Sequence, residues 1–203
     1  MKTYYLKFKE LINNPKYQSL WYVFLFMFIT YVFHKLWWLF SKEIKSLDAI
    51  LISANYLAHQ VFVWSEWVNR VILNLTFTTT EPNTFLFPQV NGYIAVNESC
   101  SGLKQMYQLF FLFVLFPGPW KQKLWYIPMT FFVMYLTNVF RIVVLSIILI
   151  NWPEQWHFCH DWILRPFFYV IIFGLWVIWV EYFVTPKEQR KKFALLKKKK
   201  TAI

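Results

Sequence analysis

A cysteine stands between two serines in Ser99-Cys100-Ser101, with Gly102 next and an apolar run beginning at Met106. It belongs to a short polar island, Val96 to Gln105, in an otherwise strongly aromatic chain. A thiol on a turn that enters a helix meets free N–H groups and the positive end of the helix dipole, which favour a thiolate and can hold an oxyanion. That is the setting of a nucleophile. Cysteine also packs readily as a small buried hydrophobe, so Cys100 alone admits a structural reading too. Two further residues bear chemistry: Arg141, inside a long apolar run, and His160, followed directly by Asp161. A charge in a membrane helix costs several kcal/mol on insertion scales, so Arg141 should face the interior of a bundle. A histidine beside a carboxylate can act as an oriented general base.

The elements that must position these groups follow from composition. Apolar residues make up 58% of the 203, aromatics 23%, and there are only four glycines. Soluble domains do not reach these values, and the chain reads as an all-α polytopic membrane protein with about 4–6 transmembrane helices. Two cysteines are too few for a disulfide framework, leaving Cys100–Cys159 as one optional link. The net charge of +11 sits at the two ends and in one short loop, which membrane topology explains better than nucleic acid does.

In order, residues 20–40 read as a signal anchor with its amino terminus in the cytoplasm, and His34 and Lys35 should snorkel outward. Residues 47–75 mix apolar side chains with Asp48, His59, Glu66 and Arg70, the pattern of an amphipathic helix on the outer surface, or of an additional span. Residues 76–102 carry Thr76 to Thr80, a Glu81-Pro82-Asn83 turn, Phe85 to Phe87 and Gly92 to Val96; they predict a small extracytoplasmic strand flap that delivers Cys100 to the membrane surface. Asn74-Leu75-Thr76 and Asn97-Glu98-Ser99 match a glycosylation pattern that matters only in a eukaryotic secretory pathway. Spans are expected at 103–118, 122–150 and 162–184, with Lys121 and Lys123 on an inner turn and the basic tail 185–203 against the inner leaflet. At about 1.5 Å per residue, Arg141 lies roughly 25 Å above the inner end of its helix, in the outer leaflet. Both ends are then inside, and Cys100, Arg141 and His160 share one side.

Three residue types converge there from three segments, with the roles that nucleophilic acyl chemistry needs. Rival readings differ in kind. Arg141 could simply pair with Glu98 or Asp161, or snorkel. A metal site from His157, Cys159, His160 and Cys100 lacks common zinc spacing. A lipid-modifying transferase would show an acidic metal-binding motif, which is not evident. A non-enzymatic component of an export or exopolysaccharide system would keep the spans and tolerate loss of Cys100. The aromatic pairs Trp37-Trp38 and Trp176 with Trp179 read as interface belts or lipid-facing packing.

The quoted residues resemble the exosortase/archaeosortase transpeptidases, membrane cysteine enzymes of bacteria and archaea. Glu98-Ser99-Cys100-Ser101-Gly102-Leu103 is similar to the family's Cys-Ser/Ala-Gly motif, Asn138-Val139-Phe140-Arg141-Ile142 to its Asn-x-x-Arg helix, and His160-Asp161 to its third site. Gly92-Tyr93-Ile94 also looks like the family, and the resemblance covers roughly Gly92 to Tyr182. It implies a compact, single-purpose variant that cleaves the C-terminal sorting signal of exported proteins through a Cys100 thioester. Arg141 would stabilise the thiolate or oxyanion, and His160, preferred over His157 because His-Asp directly precedes the final span, would protonate the leaving amine and activate the acceptor. Ser101 and Gly102 N–H groups would add oxyanion donors, with Asn138 in support. Implied partners are the sorting-signal helix, the bilayer and an acceptor nucleophile. No cofactor, metal or nucleic acid is implied, and the site would face the outside of a plasma membrane.

Overall fold

The computed structural model describes residues 15–185; the lysine-rich amino terminus and tail lie outside the described residues. Six helices form the body: α1 (Pro15–Leu39), α2 (Ser41–Ser46), α3 (Asp48–Trp67), α4 (Leu103–Leu115), α5 (Trp120–Asn151) and α6 (Pro153–Val184). A π-helical turn, Val68–Ile72, extends α3, and two more lie within α6 at Cys159–Leu164 and Val180–Val184. By length and composition α1, α5 and α6 can cross a membrane. The chain is thus an all-α polytopic membrane protein bearing one small sheet.

The fourth expected crossing is shorter than the sequence suggests. Helix α4 has 13 residues, about 20 Å at 1.5 Å per residue, against a hydrocarbon core of about 30 Å. It ends at Pro117-Gly118-Pro119, because proline cannot continue a helix. Lys123, expected with Lys121 on an inner turn, is 4% exposed. Its Nζ donates to Val114 O (3.0 Å) and Phe116 O (2.8 Å) and lies 4.3 Å from the Trp120 ring centre. A cation thereby satisfies the last carbonyls of α4 where the helix dipole favours it.

Two cores stack along the bundle. Near the Lys123 end, Phe26 and Ile29 of α1, Leu109 to Phe116 around α4, Tyr126 and Met134 of α5, and Phe168 to Trp179 of α6 pack together. Trp176 and Trp179, expected at a lipid interface, are buried here. The Trp179 Nε1 donates to Pro117 O at 3.0 Å and holds the turn against α6. Gly118 is required at that contact: its φ is +147°, and a Cβ would lie 2.5 Å from Trp179 Cζ2. Gly118→Ala should therefore cost about 1–3 kcal/mol by overpacking, read as a lower melting temperature in detergent; an unchanged melt would mean that the turn relaxes freely.

The second core lies at the Cys100 end and joins α3, α5 and the sheet. Strands β1 (Thr78–Thr80), β2 (Thr84–Phe87) and β3 (Gly92–Ala95) form one antiparallel sheet in that order, with Phe85 opposite both Thr79 and Ile94. Alternation puts Phe85 and Phe87 on the buried face, where Phe85 stacks on Phe62 of α3 at 4.5 Å. Asn83 and Asn91, at φ 49° and 48°, take the left-handed turn positions that asparagine tolerates. Residues 78–95 thus form a three-stranded sheet.

Helix α3 does not lie by itself on a surface. Tyr135 Oη donates to Gln60 O at 3.2 Å, and Asn69 Nδ2 donates to Ser146 Oγ at 3.0 Å, so α3 runs alongside α5 in the same direction. Its small residues Ala54, Ala58 and Ser65 are buried and permit this approach. Helix α1 is antiparallel to α4, as the contacts Trp37–Tyr107, Phe33–Phe111 and Tyr22–Phe116 show.

Candidate active site

The segment leading out of β3 makes a 3₁₀ turn, Glu98–Cys100, opened by Asn97, whose Oδ1 accepts from the Ser99 N–H at 3.1 Å. This asparagine-initiated turn is a local consequence of sequence. Ser101 follows, buried, with its Oγ accepting the Leu103 N–H at 3.2 Å at the start of α4. Gly102 then adopts φ +78°, the left-handed region. Cys100 is thereby presented, half-buried, beside the amino end of a helix.

One part of the expected oxyanion arrangement is changed by this turn. The Ser101 N–H is already bonded to Glu98 O at 3.3 Å, because the 3₁₀ turn consumes it. The Gly102 N–H has no such partner among the described residues. Of the two backbone donors, Gly102 is the one left available.

Helix α5 brings two side chains to the cysteine from three residues apart, on one face. Asn138, fully buried, donates from Nδ2 to Cys100 O in a short hydrogen bond and fixes the loop. Arg141 donates from Nη2 to Cys100 Sγ at 3.3 Å. The guanidinium is 8% exposed and lies 5.5 Å from the Phe168 ring centre. Neither carboxylate offered to it by the sequence takes it: Glu98 is exposed, and Asp161 pairs with His160 and Arg165. Among the described residues Arg141 has no ion pair. Its Nε and the Asn138 Oδ1 are buried without hydrogen-bond partners, which marks a polar site with unused capacity.

A Cβ on Gly102 would lie 3.1 Å from Asn138 Nδ2. Gly102→Ala would strain both the left-handed backbone and the asparagine that holds Cys100, at about 1–3 kcal/mol. If Cys100 acts as proposed below, turnover should fall roughly ten- to a hundredfold with little change in the far-ultraviolet spectrum. Full turnover would show that the loop needs no such geometry.

His160 lies in the first π-helical stretch of α6, where such turns commonly redirect side chains at functional positions. Its Nδ1 is 2.7 Å from Asp161 Oδ1, and Asp161 is held in turn by Arg165 Nη1 at 3.2 Å. Trp156 stacks on the imidazole at 5.0 Å with the planes 5° apart. The ring is therefore clamped on one face and tethered at one nitrogen, which leaves Nε2 as the atom free to exchange a proton. Arg141 and His160 belong to different helices, and the π-helical stretch that carries His160 packs against α5. His157 is exposed and edge-on to Trp156.

The structure thus joins Cys100, Asn138 and Arg141 directly and carries His160 on the helix that packs against α5. Both cysteines are free thiols. The residues of the rival metal reading do not assemble: no group of three or more metal-capable side chains occurs among the described residues. Sequence reasoning missed Trp156 and Phe168. The i, i+4 spacing of Trp156 and His160 was a usable signal; nothing local marks Phe168 as the ring beside Arg141.

A polytopic helical membrane protein with a thiol, a buried guanidinium and a tethered imidazole at one end defines the class. The sequence profile of the transmembrane exosortases matches residues 11–177, most of the chain, and the chain belongs to that family. The match reaches well before Gly92, so α1 and α3 are part of the family's pattern, which the motifs alone did not reveal. No curated protein and no solved structure matches the chain.

Proposed function

We propose that this exosortase-family protein is a membrane cysteine transpeptidase that acts at the C-terminal sorting signal of exported proteins. The contact of a buried Arg141, lacking a carboxylate partner, with the Cys100 sulfur carries the reading. An uncompensated guanidinium in a membrane bundle is costly, and a thiolate or oxyanion would repay that cost. Cys100 gives its proton to His160 and attacks the scissile carbonyl. Arg141 and the Gly102 N–H hold the oxyanion. As the tetrahedral adduct collapses, the C–N bond breaks, His160 returns the proton to the departing amine, and a thioester remains. An acceptor nucleophile, deprotonated at His160, then attacks the thioester and releases Cys100 as thiolate. Asp161 and Trp156 hold the imidazole for both transfers. The site faces the outside of a bacterial or archaeal plasma membrane, just above the substrate's own helix, where limited water favours transfer over hydrolysis.

A thioester can be intercepted chemically. Membranes containing the full chain are mixed with an exported protein from the same genome that ends in a transmembrane helix and basic tail, with hydroxylamine present. The expected product is the shortened substrate carrying a C-terminal hydroxamate, identified by mass. Cleavage with no hydroxamate at saturating hydroxylamine would overturn the thioester route. In the same assay His160→Ala should reduce product about 10²–10⁴-fold, the usual worth of a general acid–base group, while His157→Ala should leave it within about twofold. The reverse pattern would transfer the role to His157.

A further inference from the structure

An apolar cavity of about 390 Å³ opens on the side of the bundle between α1 and α4. Phe28, Phe33 and Trp37 of α1 form one wall, Tyr107, Phe111 and Leu115 of α4 another, and Ile44 and Ile50 complete the lining at the junction with α2 and α3. It is not occupied by any part of the described chain. Three observations limit what fits there.

The first is length. The lining runs from Phe28 in α1 to Phe40 just beyond its end, about 18 Å at 1.5 Å per residue. That is little more than half of a hydrocarbon core of about 30 Å, the depth of one leaflet. The second is cross-section. A hydrocarbon chain is far thinner than an α-helix, which with its side chains is about 10–12 Å across. A single hydrocarbon chain is thin enough to lie along the whole groove.

The third is charge at one end. Lys104, Tyr107, Phe111 and Leu115 form one stripe of α4, so Lys104 stands directly above the lining residues at the Cys100 end. Its Nζ lies 4.7 Å from the Trp38 ring centre, and Trp38 follows the lining residue Trp37. Lys35 is on the turn of α1 between the lining residues Val32 and Leu36, 5.6 Å from the Tyr31 ring centre. Among the described residues, neither lysine has an acidic partner. A groove with one unpaired cation at its Cys100 end and a second beside its α1 wall matches a molecule with an anionic head and an apolar tail.

We propose that this groove is a binding site for one anionic phospholipid of the Cys100-side leaflet, with an acyl chain along α1 and α4 and the phosphate at Lys104 and Lys35. The assignment does not depend on the peptide chemistry of Cys100. It places a lipid within one helical turn of the Gly102 cap and makes the lipid part of the wall beside the candidate site.

Native mass spectrometry of the full chain in detergent tests this, with dioleoylphosphatidylglycerol or dioleoylphosphatidylcholine added as probes. Wild type should retain one phosphatidylglycerol in preference to phosphatidylcholine, and Lys104→Gln should weaken that adduct roughly fivefold, the worth of one lysine at an anionic surface. Val32→Trp, which fills the groove from α1, should remove the adduct while the far-ultraviolet spectrum is kept. Cys100→Ala should bind as wild type does, so a failure of the cysteine chemistry and a failure of the lipid site are distinguishable. Equal retention of both lipids, unchanged in Val32→Trp, would mean only a non-specific lipid shell and overturn the proposal. So would a Lys-flanked polyleucine helix whose binding, unlike that of phosphatidylglycerol, is abolished by Val32→Trp.

Discussion

Cys100→Ala should abolish processing of the sorting signal, by at least about 10⁴-fold, the scale seen when the nucleophile of a covalent mechanism is removed. The loss is expected to come from the chemistry and not from a lost fold. Cys100 is half-buried, its N–H and C=O are held by Asn97 and Asn138, and alanine keeps all of these backbone bonds. Protein level in membranes should therefore stay near wild type, while loss of the sulfur that accepts from buried Arg141 should lower the melting temperature modestly. Cys100→Ser should be almost as inactive, since a hydroxyl beside Arg141 lacks the acidity that makes a thiol competent at neutral pH. The measurement is the mobility shift of the substrate after co-expression. Processing by Cys100→Ala at the wild-type rate would make the thiol structural and leave a non-enzymatic role in export as the reading of this exosortase-family protein.

Arg141→Lys should lower turnover roughly 10²–10³-fold, the cost of one oxyanion donor, although the formal charge is kept. Lysine is a strongly hydrated point charge on a flexible stem, whereas the guanidinium reaches Sγ with one nitrogen and keeps its Nε for a second acceptor. It also loses the guanidinium contact with the Phe168 ring, whose centre lies 5.5 Å from Cζ. The effect should fall on kcat more than on KM, because the second hydrogen bond is made when charge develops on the carbonyl oxygen. A raised KM with kcat unchanged would recast Arg141 as a substrate-binding residue. A lowered melting temperature with kcat intact would make it a packing residue, the reading in which it merely found a partner.

Much of the architecture was legible because its causes are local. A membrane core excludes unpaired backbone groups, so long apolar runs such as 122–150 must be helices, and α5 spans Trp120–Asn151 as a result. The turn chemistry of Asn97 and the glycine at position 102 is likewise written in adjacent residues. The three-residue spacing of Asn138 and Arg141 put both on one helical face before any packing was known.

Distance along the chain hid the rest. That Asn138 would hold the Cys100 carbonyl, and Arg141 its sulfur, depends on contacts across 38 and 41 residues. The sequence by itself determined a helical membrane protein with a thiol on a turn and an arginine at the same depth, because hydrophobic period, turn residues and helical rise are properties of neighbours. Only the tertiary structure decided that α3 runs beside α5, that Lys123 turns inward to cap α4, and that Trp179 closes on Gly118. It also decided which hydrogen bonds remain free around the thiol. The Ser101 amide is consumed by its own turn while Asp161 goes to Arg165 and His160, and Arg141 is left with the sulfur; the allocation of polar partners in a low-dielectric interior is a property of the whole packed bundle, not of any one segment.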